Sequence, residues 1–182
     1  MLTTIFPNYF YWHFKAPNAE ELISVLERKE NVLDKKETWG AHHNSIKTYL
    51  NPDTYFQYLS PSLEILTEEL KLEKVQYFIT DIWTNEYQRG NNQELHDHAF
   101  DDLVCVFFLN DGDDFAKFFF YDTNAVAFSK VWKSICFHNT FMPDVKSGDI
   151  LFFPSHMLHG VSPHKSDVIR KTLSVNFQMQ LG

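Results

Sequence analysis

Two hydrophobic periods divide the chain near residue 73. Before that point, apolar residues recur at helical spacing. Leu22, Val25, Leu26 and Leu33 follow Asn18, which with Glu21 forms a capping-box pattern. A second helix is predicted to start at Ser60-Pro61, a capping residue followed by a first-turn proline, with Leu63, Leu66 and Leu70 as its apolar stripe. Residues 39–58 between them read as loop with short helical pieces. Beyond residue 74 the period shortens. Val75, Tyr77, Ile79 and Ile82 form a strand-like run leading into Trp83 and Tyr87. The run Leu103-Val104-Cys105-Val106-Phe107-Phe108-Leu109 favours β-structure strongly, and the polar turn at 110–114 leads into a further strand at 115–121, together the signature of a β-hairpin. Lys146-Ser147-Gly148-Asp149 is a turn into Ile150-Leu151-Phe152-Phe153, and a final strand covers 169–179. Many short strands joined by polar turns predict a mainly β domain, a double-sheet jelly roll over 74–182 with 1–73 as a mostly helical support. No repeat, low-complexity tract or linker interrupts it, so 1–182 reads as a single domain.

Composition narrows this picture. With 182 residues, 44% of them hydrophobic and eighteen of them Phe, the chain can bury a substantial core. The net charge of −8 argues against a nucleic-acid backbone as the main partner, since phosphate binding needs a positive footprint. Cys105 and Cys136 offer no disulfide framework, and Cys105 sits in the most apolar run, as expected of a buried core thiol. There is no signal-peptide pattern at the start and no run near the roughly 20 apolar residues of a membrane helix. The expected compartment is the reducing cytoplasm, away from the membrane.

The chemistry resides in the histidines. His96 and His98 are two apart, so in a strand both imidazoles project from one face while Asp97 turns away. Imidazole suits iron, zinc, copper or nickel. A third ligand comes from beyond the turn Pro154-Ser155, where His156 and His159 compete and spacing alone does not separate them. Three such ligands leave open coordination positions, as a catalytic metal requires. The last strand carries Arg170, Thr172, Ser174, Asn176 and Gln178 on one side and Leu173, Val175, Phe177 and Met179 on the other. The polar side faces either water or the cavity of a barrel-like sandwich. Arg170 with the hydroxyl of Thr172 two residues on is suited to hold a carboxylate, through a bidentate fork and one added hydrogen bond.

These residues fall in stretches that resemble the iron(II)- and 2-oxoglutarate-dependent oxygenases, above all a group of small bacterial and phage members. The matching stretches are Trp83-Thr84-Asn85, Gln93-Glu94-Leu95-His96-Asp97-His98, and Gly148-Asp149-Ile150-Leu151-Phe152-Phe153-Pro154-Ser155. They continue through His159-Gly160-Val161 and end at Arg170-Lys171-Thr172-Leu173-Ser174-Val175-Asn176-Phe177. The resemblance implies a double-stranded β-helix, the cupin-like jelly roll. It makes His96, His98 and His159 the ligands of Fe(2+), preferring His159 to His156 because the ligand precedes Gly-Val. Arg170 and Thr172 become the holders of the distal carboxylate of 2-oxoglutarate, with Tyr121 as a further co-substrate contact. The implied reaction is hydroxylation by dioxygen of an unidentified small molecule or protein side chain.

One departure matters. The superfamily places a carboxylate two residues after the first histidine, where this chain has His98. A bulge at that point would let Asp97 replace a histidine. The all-imidazole set keeps two alternatives in view: a cupin-like three-histidine dioxygenase or isomerase that ignores 2-oxoglutarate, and a non-catalytic structural or ligand-binding jelly roll. His42, His43 and His138 read as surface or loop residues. Substrate selectivity is expected from the segments 39–58 and 125–142, because binding loops ride on rigid scaffolds. Small jelly rolls often pair, which makes a homodimer the candidate assembly.

Overall fold

The computed structural model describes residues 9–33, 45–72, 74–123, 130–131 and 139–182. His42, His43, Cys136 and His138, and the greater part of 125–142, lie outside the described residues. Three layers stack: helices, a six-stranded sheet and a four-stranded sheet. The strands are β1 (Trp12–Lys15), β2 (Ile46–Tyr49), β3 (Val75–Tyr87), β4 (Gln93–His96), β5 (Leu103–Phe108), β6 (Phe118–Tyr121), β7 (Thr140–Phe141), β8 (Asp149–Pro154), β9 (His159–Val161) and β10 (Arg170–Leu181). The helices are α1 (Ala19–Glu27) and α2 (Pro52–Leu70). The larger sheet runs β1-β8-β5-β10-β3-β2 and the smaller β4-β9-β6-β7, all pairs antiparallel. This is the double-stranded β-helix that the sequence predicts.

Each sheet face has its own core. Leu22, Leu26, Leu59, Leu63 and Leu66 of the helices pack on Cys105, Phe107, Ile150, Phe152, Leu173, Val175 and Phe177, the outer face of the larger sheet. Between the sheets lie Tyr87, Val106, Phe108, Phe118, Phe120, Leu151, Phe153, Met157 and Val161. Because β5 and β8 are covered on both faces, they read as continuous apolar runs rather than alternating ones. No helix among the described residues is long and apolar enough to cross a membrane.

Several local expectations are corrected. The second helix starts nine residues earlier than Ser60-Pro61 suggests, at Pro52, where Asn51 Oδ1 accepts the Asp53 N–H. Pro61 is interior, and the carbonyl of Gln57 that loses an amide donor to it receives the Ser60 hydroxyl at 3.1 Å instead. Asn18 does precede α1, but its side chain makes no cap; Nδ2 donates to the Tyr58 carbonyl across the helix pair. Leu33 lies outside α1 and is exposed. Residues 46–49, read as loop, form an edge strand beside β3, and Trp12–Lys15 forms the opposite edge. The 115–121 run does not make a hairpin with β5. Both edges of β5 are already paired, to β10 and β8, so the chain crosses to the smaller sheet and β6 pairs β9 and β7. The two-two-three spacing of Val75, Tyr77, Ile79 and Ile82 has its cause in a β-bulge: β10 pairs Ile79 and Asp81 with consecutive residues and leaves Thr80 out.

Candidate metal centre

His96 ends β4, His159 opens β9, and the two are direct cross-strand partners. His98 lies beyond the end of β4, so strand alternation is not what aims it. Its N–H donates to the Ser155 carbonyl at 2.9 Å, its carbonyl accepts from Asp101 N–H at 2.9 Å, and Ser155 N–H returns a bond to Asp102. The turn that follows β8 therefore fixes His98 and leads into His159 within four residues. One ligand nitrogen from each of His96, His98 and His159 falls within 4.8 Å of the others. Imidazole binds metals at about 2.0–2.1 Å, so closing on one ion needs only side-chain adjustment. Asp97 and His156 are exposed and outside this group.

The protonation states suit coordination. His96 Nδ1 donates to the Glu94 carbonyl and His159 Nδ1 to the Met157 carbonyl, each at 2.8 Å. A carbonyl only accepts, so both rings carry their proton on Nδ1 and leave the Nε2 lone pair for a metal. Burial, followed by the neighbouring His96 and Lys47, pushes the His98 pKa down to about 3. Burial also holds His159 well below its ordinary value, reinforced by His96 and His98. These rings stay neutral across physiological pH. Phe118 and Phe153 pack on His159, with ring centroids at 5.5 and 4.8 Å, and Trp83 stacks on His98 at 6.1 Å.

The polar side of β10 turns inward, between the sheets. Arg170, Thr172 and Asn176 are buried there beside the inward residues of β3. The register pairs Arg170 with Tyr87, Thr172 with Asn85 and Ser174 with Trp83. Trp83 Nε1 donates to Asn85 Oδ1 (3.1 Å), and Asn85 Nδ2 donates to Ser174 Oγ (3.0 Å) and Thr172 Oγ1 (3.4 Å). The Arg170 guanidinium lies over the rings of Tyr87 (5.1 Å) and Phe108 (5.5 Å), only 3% exposed, and its Nη1 has no hydrogen-bond partner among the described residues. Burial lowers its pKa, and the Tyr87 hydroxyl opposes that shift. A buried donor left unmatched in a native fold points to a group that is not protein.

Tyr121 does not belong to this cluster. Phe118 and Phe120 of β6 face the inter-sheet core, so alternation puts Tyr121 on the other side, where its hydroxyl accepts from Asn139 Nδ2 at 3.2 Å. Residues that sequence reasoning missed are Asn85 and Tyr87. The signal was present in the alternation Trp83, Asn85, Tyr87, whose mixture of polar and aromatic types matches neither a solvated nor a purely apolar face. Gly160 also has a definite role. A Cβ there would stand 3.0 Å from the Gln93 carbonyl and from Phe119, so its absence lets β9 approach β4 and brings His159 to His96.

Residues 81–176 match the family described as "Putative 2OG-Fe(II) oxygenase", and every residue of the histidine and arginine sites lies within that span. No curated protein matches the chain. Among solved structures, HygX from Streptomyces hygroscopicus with nickel and 2-oxoglutarate bound is similar, with a TM-score of 0.65 at 13% identity, covering 96% of this chain and 84% of that one. An oxidoreductase of the 2OG-Fe(II) oxygenase family from Burkholderia pseudomallei gives 0.64 at 12% identity over 92% and 84%. A Pseudomonas putida prolyl-4-hydroxylase gives 0.62 at 15% identity over 94% and 93%. At such identities the likeness establishes the fold.

Proposed function

Because the chain belongs to the 2OG-Fe(II) oxygenase family, matched over more than half its length, we propose that it binds iron(II) through His96, His98 and His159 and oxidises a substrate with 2-oxoglutarate and dioxygen. The observation that carries this reading is the Arg170 Nη1, without a hydrogen-bond partner among the described residues and buried against the same inter-sheet core whose Phe118 packs on His159. A carboxylate held at Arg170 would satisfy that donor.

Each residue then has a defined task. His96 and His159, protonated on Nδ1, present Nε2 in fixed orientations. Arg170 pairs with the distal carboxylate; charge-assisted pairs of this kind are stronger than neutral hydrogen bonds. Thr172 Oγ1 accepts from Asn85, so its own proton is left to donate to that carboxylate. Phe118, Phe153, Val106 and Leu151 wall the space and exclude water. Iron(II) held by the three imidazoles would let dioxygen act as the oxidant, one oxygen atom going to 2-oxoglutarate, which is converted to succinate and carbon dioxide, and the other serving to oxidise the substrate.

A second reading has a specific observation behind it. Among the described residues the ligand set contains no carboxylate, which, taken alone, favours a three-histidine dioxygenase or isomerase that does not use 2-oxoglutarate. Titration of the purified protein with manganese(II), then 2-oxoglutarate, separates the two. The first reading expects one metal per chain and 2-oxoglutarate binding that Arg170→Met abolishes while metal uptake persists. Metal uptake with no 2-oxoglutarate binding overturns the first reading and favours the second. Absence of both overturns the proposal.

A further inference from the structure

One buried polar side chain on the inner face of β10 has no task in that reading. Asn176 is 6% exposed, its Oδ1 is buried without a hydrogen-bond partner, and its Nδ2 makes no hydrogen bond among the described residues. Register fixes where it stands. Its neighbours across the sheet are Asp81 of β3 and Val104 of β5, and Val104 pairs in turn with Phe153 of β8. The preceding residue on the same face, Ser174, pairs with Trp83. The aromatic residues that flank this stretch of sheet are those that meet the metal ligands. The Trp83 ring stacks on His98 at 6.1 Å, and the Phe153 ring lies 4.8 Å from His159. The loop that follows His98 is fastened at the same level, with Asp102 N–H donating to the Phe177 carbonyl at 2.9 Å. Asn176 therefore stands on the floor of the larger sheet between the supports of His98 and His159. Arg170 begins the same strand, about 20 Å away by strand rise.

We propose that Asn176 is a positioning residue for the co-substrate, its side-chain amide donating to the carboxylate next to the keto group at the metal-facing end of 2-oxoglutarate. The inference rests on the metal-dependent reading above and concerns the end of the ligand that Arg170 does not hold. Burying an amide unpaired has no benefit for folding, so its presence points to a ligand. Amide nitrogen and oxygen are told apart by their partners. Here neither has one, so the side chain can present its two N–H donors to a carboxylate. A neutral donor also suits this end of the site. Three neutral imidazoles leave the whole charge of a divalent ion in place, so an anionic group beside it is already compensated. What that group still needs is orientation, which an amide supplies without adding positive charge near the ion. At the distal end no ion is expected, and there the chain places the charge of Arg170.

The test titrates the full chain by calorimetry with manganese(II) and then 2-oxoglutarate, in wild type, Asn176→Ala and Asn176→Asp. Asn176→Ala is expected to leave manganese affinity unchanged and to weaken 2-oxoglutarate about tenfold, as loss of one hydrogen bond to a charged group does. Asn176→Asp gives the signature that a merely structural role would not produce. A carboxylate at this place attracts the ion and repels the co-substrate, so manganese should bind about tenfold more tightly and 2-oxoglutarate more weakly than in Asn176→Ala. Unchanged 2-oxoglutarate affinity in Asn176→Ala overturns the inference, as does a parallel loss of manganese and 2-oxoglutarate in both variants. Should Asn176→Asp fail to fold, the Asn176→Ala result decides alone. Wild type separates the two questions. If it takes up manganese but no 2-oxoglutarate, the co-substrate reading fails and this inference with it; if it binds both and the variants match it, the role of Asn176 alone is lost.

Discussion

The two faces of β10 are chemically opposite, and both contain buried residues. Leu173, Val175 and Phe177 on the helix-facing side are each 0% exposed, while Arg170, Thr172 and Asn176 on the inner side are 3%, 2% and 6%. The first face is buried because water is excluded from apolar carbon; it gains free energy roughly in proportion to area. The second is buried despite its chemistry and includes a donor and an acceptor with no hydrogen-bond partner among the described residues, Arg170 Nη1 and Asn176 Oδ1. Folding does not favour the desolvation of such groups, so their burial is intelligible as preparation for a ligand. One face stabilises the molecule and the other equips it.

That contrast can be broken at either face. The largest effect is expected at the metal ligands. His159→Ala should abolish metal uptake, measured by manganese titration, because two remaining imidazoles hold an ion weakly; an unchanged affinity would remove His159 from the site. Next, Phe177→Ala should cost about 3–5 kcal/mol in urea denaturation while leaving metal affinity near wild type, as expected for a cavity opened in a packed face. Arg170→Met inverts this pattern. It should lower 2-oxoglutarate affinity at least about 100-fold, yet leave stability unchanged or raised, since a buried cation whose Nη1 is unmatched among the described residues is replaced by an apolar side chain. A large loss of stability from Arg170→Met would mean that the inner face is structural after all.

Smaller effects sharpen the picture. His98 and His159 have folded pKa values below the unfolded value of about 6.5, so the unfolded state binds more protons than the native state. Stability of the metal-free protein should therefore fall as pH drops below about 6.5, and His98 should add to that slope down to about pH 3. Urea midpoints measured from pH 7 to pH 4 test the sign, and His98→Gln should flatten the dependence. The smallest change is expected from Asn85→Ala, which removes the link from Trp83 to the Thr172 and Ser174 hydroxyls. It should raise the KM for 2-oxoglutarate several-fold with little change in metal affinity.

Much of the site was legible without a structure. The His-x-His pair, the distal His159 before Gly-Val, and the divided last strand with Arg170 and Thr172 all lie in stretches whose spacing is local. Reasoning failed where an outcome depended on partners distant in the chain. The 115–121 run has every local mark of a hairpin arm, but β10 had already taken the edge of β5 that it would need. Tyr121, which the resemblance makes a co-substrate contact, faces the other way because the parity of β6 is set by Phe118 and Phe120 packing on Phe153. Ser60-Pro61 has the form of a helix start; the true start differs because Pro52 is a first-turn proline too, with a working Asn51 cap.

By itself, then, the sequence determined the strand-rich architecture, the two alternating faces of its last strand and the residue types able to hold a metal and a carboxylate. These follow from backbone periodicity and side-chain chemistry, which are local properties. Only the tertiary structure decided which polar face is enclosed, that His98 is fixed by Ser155 rather than by strand alternation, and that Arg170 and His159 meet the same inter-sheet core. Those outcomes depend on which strands pair and which faces meet, and pairing is chosen by the whole chain at once.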